Sequence, residues 1–312
     1  MQVEGRRLFH HTQKMMGNRF SISIEHDSEK TANDIIKQAI DEVHRIETLF
    51  TTFSDASITN EINRNAGINP VEVPKEFLDL VQRANRISEL TDGAFDLSFG
   101  SIDKRLWNFD THMTSLPDKA TASRMVRLIN FRNIIVDPAN QTVFLKQKGM
   151  RIGFGGIGKG YAADRARHLL KSLGVTCGIV NAAGDLTTWG NQSNGKRWTI
   201  GIAAPDQTKH PFSTLDITDM AVATSGDYEK FATINGKKYS HTINPKTGFP
   251  VSGIKSVTII CPFAELADAM ATPVMVMGVN NGIGMINQVQ GMHCIIIDEK
   301  DKLYTSSKIN IK

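Results

Sequence analysis

Patterns of apolar and polar side chains divide the first third of the chain into elements. Residues 17–25 alternate apolar and polar side chains, which predicts a strand. From Thr31 to Phe50 apolar residues recur every three or four positions, so we expect a helix with one buried face. A second helix is predicted from about Pro74 to Leu90, because proline suits a first helical turn and Gly93 suits the stop. A polar loop or short helix that carries Phe53 connects the two.

The middle of the chain combines a predicted hairpin with a glycine-rich segment. Residues 132–154 contain apolar runs on both sides of an Asp-Pro-Ala-Asn turn at 137–140, which predicts two antiparallel strands. Residues 153–164 read GFGGIGKGYAAD and open a predicted helix that Gly174 closes. A single strand is then predicted from about Thr176 to Asp185.

The last third is rich in strand signals and predicts the fold class. Strands dominate residues 198–260, and a helix is predicted from Leu266 to Met277, with a bend at Pro273. A short helix near 284–289 and a strand at 294–299 follow. A Rossmann fold would need alternating helices and parallel strands, with the glycine turn after its first buried strand. Here the glycine turn follows a hairpin, so we predict an α+β fold with helices packed on an antiparallel sheet.

Composition and charge narrow the classes of ligand. The chain has 312 residues, enough to bury a large core, and a formal net charge of +4. This mild excess suits an anionic ligand, but no dense run of Lys and Arg indicates nucleic acid. Cys177, Cys261 and Cys294 are widely spaced in apolar segments without a C-x-x-C motif. We therefore expect buried thiols rather than disulfides or a zinc site.

The N-terminal residues carry no recognisable targeting pattern. Residues 1–14 are basic and contain histidines, so we expect a solvated tail ahead of a single domain at 15–312. Residues 1–15 lack the apolar centre of a signal peptide, and the chain has no apolar run long enough to span a bilayer. The sequence therefore leaves the cellular location open.

The glycine-rich segment is the candidate anion site. Successive glycines before a helix let backbone N–H groups approach a phosphate, and the helix dipole adds positive charge. Gly153, Gly155 and Gly158 fit the G-x-G-x-x-G dinucleotide pattern. Gly153, Gly158 and Lys159 also fit a P-loop, but Gly160 stands where that motif requires a hydroxyl for magnesium. A tight turn without a ligand is the third interpretation.

Polar side chains in the C-terminal half form a second candidate set. Asp268 and Thr272 lie four apart on a predicted helix and share a face. Their oxygens are of the kind that magnesium accepts beside phosphate and water, although an exposed helix face has the same spacing. His241 precedes a predicted turn at 244–248 and is placed to act as a general base or hold a phosphate. For His241 and Asp227, a hydrogen-bonding or turn-capping role is the simpler interpretation.

Six stretches form a pattern that spans nearly the whole chain. They read GAFDLSFGSIDKRLWNF, GGIGKGYAAD, VNAAGD, ATSGDYEKF, YSHTINPKTGFP and LADAMATPVMVMG. Taken in this order, they resemble the ApbE family, the FAD:protein FMN transferases. The resemblance runs from Met16 to the last predicted strand. Six stretches in family order are far more specific than one glycine pattern.

The resemblance implies a fold, a reaction and a partner. It implies a T-fold-like α+β architecture with an FAD site and a magnesium site. In the family, FMN moves from FAD to a Ser or Thr hydroxyl of an acceptor protein, and AMP is released. The implied acceptors are flavoprotein subunits of membrane redox complexes, such as a sodium-translocating quinone reductase or an Rnf-type complex. The family is usually exported, which implies a periplasmic or membrane-anchored protein if a leader was removed, and a cytoplasmic one otherwise.

The same resemblance implies roles for individual residues. Asp268, Thr272 and the main-chain carbonyl of Gly156 match the magnesium ligands. His241 matches the histidine thought to act in transfer, and Trp107 would join the aromatic residues that pack against flavin or adenine. The positions that line the FAD site are matched by Met16, Phe53, Ala94, Phe95, Asp96, Lys159 and Thr242.

The chain departs from the family pattern at several positions. Gly153 and Asn244 stand where an aspartate is frequent, and Phe53 stands where a tyrosine is common. Ala183 replaces the first glycine of the usual pair before Asp185. These departures bear on cofactor affinity more than on the type of reaction.

Three other functions stay open at this point. In an FAD pyrophosphatase, water would replace the acceptor hydroxyl. A non-catalytic FAD-binding protein would bind flavin and release no AMP. A dinucleotide-dependent oxidoreductase would bind NAD and require a parallel sheet.

Overall fold

The computed structural model describes residues 5–106, 115–204, 207–226, 231–234 and 236–307. The helices are α1 (Glu29–Phe50), α2 (Ile58–Arg64), α3 (Lys75–Leu90), α4 (Lys119–Val126), α5 (Gly158–Ser172), α6 (Ala264–Met277) and α7 (Val279–Ile286), with 3-10 helices at Leu97–Ser101 and Phe131–Asn133. The strands are β1 (Arg7–Met15), β2 (Asn18–His26), β3 (Val71–Glu72), β4 (Ile134–Asp137), β5 (Thr142–Leu145), β6 (Gly178–Ala182), β7 (Asp185–Trp189), β8 (Trp198–Ala204), β9 (Gln207–Ile217), β10 (Ala221–Gly226), β11 (Phe231–Ile234), β12 (Lys237–Ser240), β13 (Ile254–Cys261), β14 (His293–Asp298) and β15 (Leu303–Thr305).

An eight-stranded sheet is the centre of the fold. Its strand order is β1-β2-β6-β7-β10-β13-β14-β15, and each neighbouring pair is antiparallel. The predicted α+β class is therefore confirmed. A parallel, doubly wound sheet is not what the described residues form, so the dinucleotide-dependent oxidoreductase loses its structural support.

The two faces of the sheet are covered by different structures. Helices α1, α5 and α6 pack on one face and form the main hydrophobic core with it. On the opposite face, the β8–β9 hairpin packs against the sheet and forms a second core with it, which includes Trp198 of the hairpin and Leu186 and Ile260 of the sheet. Because β13 lies between these two layers, all eight of its residues are buried. A strand covered on both faces lacks the regular alternation of a half-buried strand, as in the stretch VTIIC here, where Thr258 is the one polar residue.

The predicted helices form because their apolar stripes face the sheet. Helix α1 buries Ile35, Ile36, Val43 and Ile46, and the Ser28 side chain caps its first turn by accepting from the Thr31 N–H. Burial of each such aliphatic side chain stabilises the fold by about 1.5–3 kcal/mol. Helices α1 and α3 begin and end within two residues of the predicted bounds.

Several sequence-based expectations about individual elements were wrong. Residues 7–15, expected within a solvated tail, form strand β1, which pairs with β2 along its whole length. The strand expected from Thr176 to Asp185 is instead the hairpin β6–β7, with Ala183 and Gly184 at positive φ in its turn. The second strand of the predicted 132–154 hairpin ends at Leu145. Strand β15 was not expected at all.

The cysteine prediction is confirmed. Cys177, Cys261 and Cys294 are buried free thiols, and burial raises the pKa of each above its ordinary value. No helix in the described ranges is long and apolar enough to cross a bilayer.

Candidate functional site

The glycine-rich turn is held in place by aromatic packing beneath it. Phe154, inside the turn, contacts Phe50 and Phe77 with ring-centroid distances of 4.6 and 5.2 Å. Helix α5 then begins at Gly158, and Ile157 at its N-cap offers no side-chain hydrogen bond. A helix start whose own cap is apolar leaves backbone N–H groups for partners from elsewhere.

Helices α5 and α6 approach each other closely at Gly160. A Cβ on Gly160 would lie 2.5 Å from the carbonyl carbon of Ala264 and 2.9 Å from Cβ of Asp268. Only glycine fits at this contact without displacing the other helix. A P-loop requires Ser or Thr at this position, and either side chain would clash with the backbone of α6. The P-loop interpretation therefore fails.

The two helices cap each other. Oδ2 of Asp268, on α6, accepts the Gly160 N–H at 3.0 Å in the first turn of α5. In return, Oδ2 of Asp164, on α5, accepts the Glu265 N–H at 2.9 Å in the first turn of α6, where Phe263 provides no side-chain cap. Each N-terminus is thus satisfied by a carboxylate of the other helix, which the positive end of a helix dipole favours.

Lys159, Asp185 and Asp268 form a buried charged cluster at the start of α5. The Lys159 ammonium pairs with the Asp185 carboxylate, which is 2 % exposed. Burial raises the pKa of Asp185, and repulsion from Asp268 raises it further, while Lys159 opposes both. Burial also raises the pKa of Asp268, against the Lys159 charge and the N–H groups of α5. When all three groups are ionised, the cluster carries a net charge of −1.

This cluster and its neighbours fit a magnesium ion. The predicted donors are the Asp268 carboxylate, the Thr272 hydroxyl and the Gly156 carbonyl, which are hard oxygens of the kind that magnesium selects. Gly156 and Thr272 both line the large cavity described below. The excess negative charge of the buried cluster is a charge that a divalent cation would balance. No group of three or more His, Cys, Asp or Glu side chains suited to a metal occurs among the described residues.

A large cavity opens beside the glycine-rich turn. Its volume is about 1010 Å³, at the upper end of the range that is usual for cofactor sites. Gly153, Gly155 and Gly156 form part of its wall, and Phe95 lies against Gly156. Phe53 lies in its lining with a fully exposed side chain. An exposed aromatic ring over a cavity is suited to cover a flat ligand ring.

The cavity brings together most of the residues that the sequence nominated. Met16 lies nearby, since a Cβ on Gly158 would be 3.6 Å from its ε-methyl group. Lys159 and Asp268 are placed in the buried cluster rather than in the lining. Trp107 and Asp227 lie outside the described residues. The nominated residues in the lining are Phe53, Ala94, Phe95, Asp96, Gly156, His241, Thr242 and Thr272.

Asp96 is tied to the backbone around it. Its Oδ1 accepts from the Ser98 N–H at 2.7 Å and from the Ser98 hydroxyl at 2.6 Å, and its Oδ2 accepts the Phe131 N–H at 2.7 Å. Burial raises the pKa of this carboxyl, while these hydrogen bonds hold it down. Asp96 therefore shapes the cavity wall, and its predicted contact with FAD stays a prediction.

His241 stands on a segment whose shape is fixed by hydrogen bonds. The side-chain oxygen of Asn244 accepts the Lys246 N–H at 2.9 Å, and the Gly248 N–H donates to the Asn244 carbonyl at 2.9 Å. The departure at Asn244 is thereby explained, because an amide oxygen caps this turn as a carboxylate would. His241 itself is exposed and lines the cavity.

Sequence reasoning missed two features of this site. Asp185 was noted only inside the VNAAGD stretch, although its burial beside Lys159 makes it part of the charged cluster. A set of cationic residues also lines the cavity, from Lys104 to Arg151. Their spread over three segments left no local pattern to find, so only the fold brings them together.

Comparison with known proteins shows similarity over nearly the whole chain. The sequence profile of the ApbE family matches residues 16–296. A protein of Klebsiella pneumoniae named FAD:protein FMN transferase is 30% identical over 96% of this chain and 92% of its own length. Another of that name, from Treponema pallidum, is 29% identical over 88% of this chain and 81% of its own length.

Solved structures show the same similarity in three dimensions. The crystal structure of an ApbE protein from Thermotoga maritima matches with a TM-score of 0.86 at 30% identity, covering 96% of this chain and 97% of that one. A flavin transferase ApbE from Vibrio cholerae matches with a TM-score of 0.83 at 25% identity, covering 97% and 98% of the two chains.

Proposed function

The chain belongs to the ApbE family, and from that premise we propose that it is a magnesium-dependent FAD:protein FMN transferase. It would move FMN from FAD onto a Ser or Thr hydroxyl of an acceptor protein and release AMP. The observation that supports this function most directly is the cavity. It gathers aromatic side chains, a glycine-rich turn at a helix start and His241 around one space of about 1010 Å³.

The glycine-rich turn at 153–157, which comes before the first turn of α5 that Asp268 caps, is the part of the chain that would hold the pyrophosphate of FAD. Backbone N–H groups of a bare glycine turn can approach phosphate oxygens closely, and the helix dipole favours their negative charge. Asp268, Thr272 and the Gly156 carbonyl would hold magnesium, which when bound neutralises phosphate charge and acts as a Lewis acid. Lys159 would add its positive charge where negative charge develops during transfer.

The transfer is an in-line displacement at phosphorus. The acceptor hydroxyl oxygen forms a bond to the phosphorus on the FMN side, and the bond from that phosphorus to the AMP oxygen breaks. AMP leaves with the electron pair of that bond. His241, exposed in the cavity lining, is our candidate for accepting the hydroxyl proton.

The ring systems of FAD would be held by aromatic side chains. Phe95 is 6 % exposed and fixed against Gly156, so it offers a rigid surface. Phe53 is fully exposed and can move onto a ligand. Phe53 lacks the hydroxyl of the tyrosine that is common in the family at this position, but it keeps the aromatic surface for stacking. A flavoprotein subunit of a membrane redox complex remains our proposed acceptor.

The test is AMP release from FAD and magnesium, with and without an acceptor protein of that class. The same samples are run on a denaturing gel and read for flavin fluorescence. The matched variant is Asp268→Asn, because an amide oxygen can still accept the Gly160 N–H while the metal-binding charge is gone. We expect a fluorescent acceptor band and AMP with the wild type, and neither with the variant.

Other outcomes point to other functions. AMP without a fluorescent band would identify an FAD pyrophosphatase. Flavin binding without AMP in either tube would identify a binding protein. An Asp268→Asn protein that keeps full magnesium-dependent turnover would refute the metal assignment while leaving the transferase function standing.

A further inference from the structure

The charged cluster of Lys159, Asp185 and Asp268 already contains a cation. The Lys159 ammonium pairs with Asp185, although Lys159 stands in the first turn of α5, directly after the glycine-rich turn. The lysine side chain is partly exposed, whereas Asp185 is buried. A lysine that served only to bind phosphate would not need a buried carboxylate of its own. A contact with FAD alone therefore does not explain this ion pair.

Both carboxylates of the cluster are held by backbone groups. Asp268 accepts the Gly160 N–H at 3.0 Å and a further hydrogen bond from the Lys159 N–H. Asp185 accepts a hydrogen bond from the Thr224 N–H on the neighbouring strand β10. Neither carboxylate can move away from the other without losing these bonds. The fold therefore sets the spacing of the charges in the cluster.

The charges of the cluster act on one another. Burial and the Asp268 charge raise the pKa of Asp185, while the Lys159 charge lowers the pKa of both carboxyls. The N-terminus of α5 adds about half a positive charge at the same place. With all three side chains ionised, the cluster and the helix end together carry a charge of about −0.5. The lysine thus cancels most of the negative charge that would attract a metal ion to Asp268.

A divalent cation alone would more than balance this charge. It would leave about +1.5 in a largely buried place, and an unbalanced buried charge is costly. The pyrophosphate of FAD brings two negative charges, so the site with both the metal and FAD returns to about −0.5. The charges are therefore best balanced when the metal and the pyrophosphate are present together.

Resting on the magnesium-dependent function proposed above, we propose that the ion pair of Lys159 with Asp185 weakens magnesium binding until the pyrophosphate of FAD is present. The ammonium offsets the negative charge around Asp268, and the pyrophosphate restores it. Magnesium and FAD then bind with positive cooperativity, and each raises the affinity for the other by the same factor. Asp185 is a positioning residue in this scheme, because it holds the ammonium near Asp268 and does not itself contact the metal.

The test measures metal binding rather than turnover. The probe is Mn²⁺, which takes the oxygen ligands of magnesium and whose free ion is counted by electron paramagnetic resonance. Titrations run at about pH 8, where a carboxyl with a raised pKa is ionised. They are made with and without an FAD analogue whose two phosphorus atoms are joined by a methylene group, which cannot be cleaved between them.

The variants change the charge of the cluster in both directions. Lys159→Met makes it more negative by one, Asp185→Asn makes it less negative by one, and Lys159→Met/Asp185→Asn restores the wild-type charge. The matched control is Lys171→Met, which removes an exposed lysine from the last turn of the same helix. Thermal melts verify that each variant folds.

We expect the wild type to bind Mn²⁺ at least about tenfold more tightly with the analogue than without it. Without the analogue, Lys159→Met should bind Mn²⁺ about tenfold more tightly than the wild type, and Asp185→Asn about tenfold more weakly. The double variant should fall between these two, and Lys171→Met should match the wild type. A merely structural role of the ion pair would not give changes of opposite sign that cancel in the double variant.

Three results would overturn the inference. Unchanged or weaker Mn²⁺ binding by Lys159→Met would mean that the ammonium does not oppose the metal. An equal gain in Lys171→Met would mean that only overall charge matters, and equal Mn²⁺ affinity of the wild type with and without the analogue would exclude the cooperativity. If Lys159→Met does not fold, Asp185→Asn and the double variant still differ by the ammonium, and equal Mn²⁺ affinity of these two would overturn the inference as well.

The fate of the transferase function is read separately. A wild type that releases no AMP and labels no acceptor, yet binds Mn²⁺ and the analogue cooperatively, would refute the transferase function and support the inference. A wild type that labels the acceptor without this cooperativity would do the reverse. Mn²⁺ that binds in neither titration would refute the metal assignment and the inference together.

Discussion

Replacing Gly160 with alanine would force helices α5 and α6 apart. The new Cβ would lie 2.5 Å from the Ala264 carbonyl carbon and 2.9 Å from Asp268 Cβ, and ordinary contact begins at 3.4 Å. Both atoms belong to the rigid part of α6 rather than to the end of a flexible side chain. The helices must therefore separate by about 1 Å at this point.

Two effects of opposite sign decide the stability of Gly160→Ala. Alanine is the better helix former by about 1 kcal/mol, which favours the variant. Overpacking costs typically about 1–3 kcal/mol and more where backbone must move, and the reciprocal caps between α5 and α6 are stretched as well. We expect a net loss of about 2 kcal/mol in the free energy of unfolding. A shift of about 1 Å also exceeds the tolerance of about 0.2 Å for metal–ligand distances.

The measurement is urea unfolding of Gly160→Ala beside a matched glycine variant. Gly284 lies inside helix α7 with no atom within 4 Å of an added Cβ, so Gly284→Ala should gain about 1 kcal/mol from helix propensity alone. The second readout is the magnesium concentration at which AMP release from FAD is half-maximal, which should rise at least about tenfold in Gly160→Ala and stay unchanged in Gly284→Ala.

A Gly160→Ala protein that gains stability as Gly284→Ala does would refute this reasoning, because the close approach of the two helices would then not limit the site. A loss of stability with an unchanged magnesium requirement would refute only the link between helix spacing and the metal ligands.

Three further predictions follow from buried and exposed groups of the site. Burial raises the pKa of Asp164 to about 6 from 3.8, so its contribution to stability is complete below pH 3.8 and is lost as pH rises through 6. Relative to Asp164→Asn, the unfolding free energy of the wild type should fall by about 3 kcal/mol over this window in urea titrations. Parallel pH curves for the two proteins would contradict the assignment. Asp268→Asn removes one of two buried carboxylates that repel each other, so the variant should melt no lower than the wild type at pH 7. The same variant should lose AMP release. A lower melting temperature would mean that the carboxylate mainly stabilises the fold. His241→Gln should slow flavinylation about 10²–10⁴-fold with FAD affinity changed less than about twofold, and an unchanged rate would exclude the proton-accepting role.

The elements that could be predicted from the sequence are those whose local signals agree with their tertiary setting. Helix α1 has a continuous apolar stripe, and helix α5 ends at Ser172, two residues before Gly174, which has a φ of 87°. Strand β14, predicted at 294–299, is buried from Cys294 to Ile297, which reads as an apolar run. Where the pattern of burial and the pattern of residues coincide, the prediction holds.

The elements that were missed lack such agreement. Strand β1 lies at the edge of the sheet and is mostly exposed, so its polar sequence RLFHHTQKM resembled a tail. The β6–β7 turn places Ala183 at a φ of 57°, a conformation that alanine rarely adopts, so Gly184 alone was a weak turn signal there. The family resemblance supplied the candidate residues. Nothing in the local sequence could show that Asp185 and the cationic residues of the cavity lining lie close to them in the fold.

The mutual capping of α5 and α6 has a consequence for how the site becomes ordered. Neither helix carries its own N-terminal cap, and each depends on a carboxylate that is positioned only when the other is formed. Opening either helix therefore removes the cap of its partner, so the pair should exchange its amide hydrogens in a single cooperative step. Half of such a pair would not be stable by itself, so the glycine-rich turn before α5 and the predicted metal ligands on α6 would be ordered together or lost together.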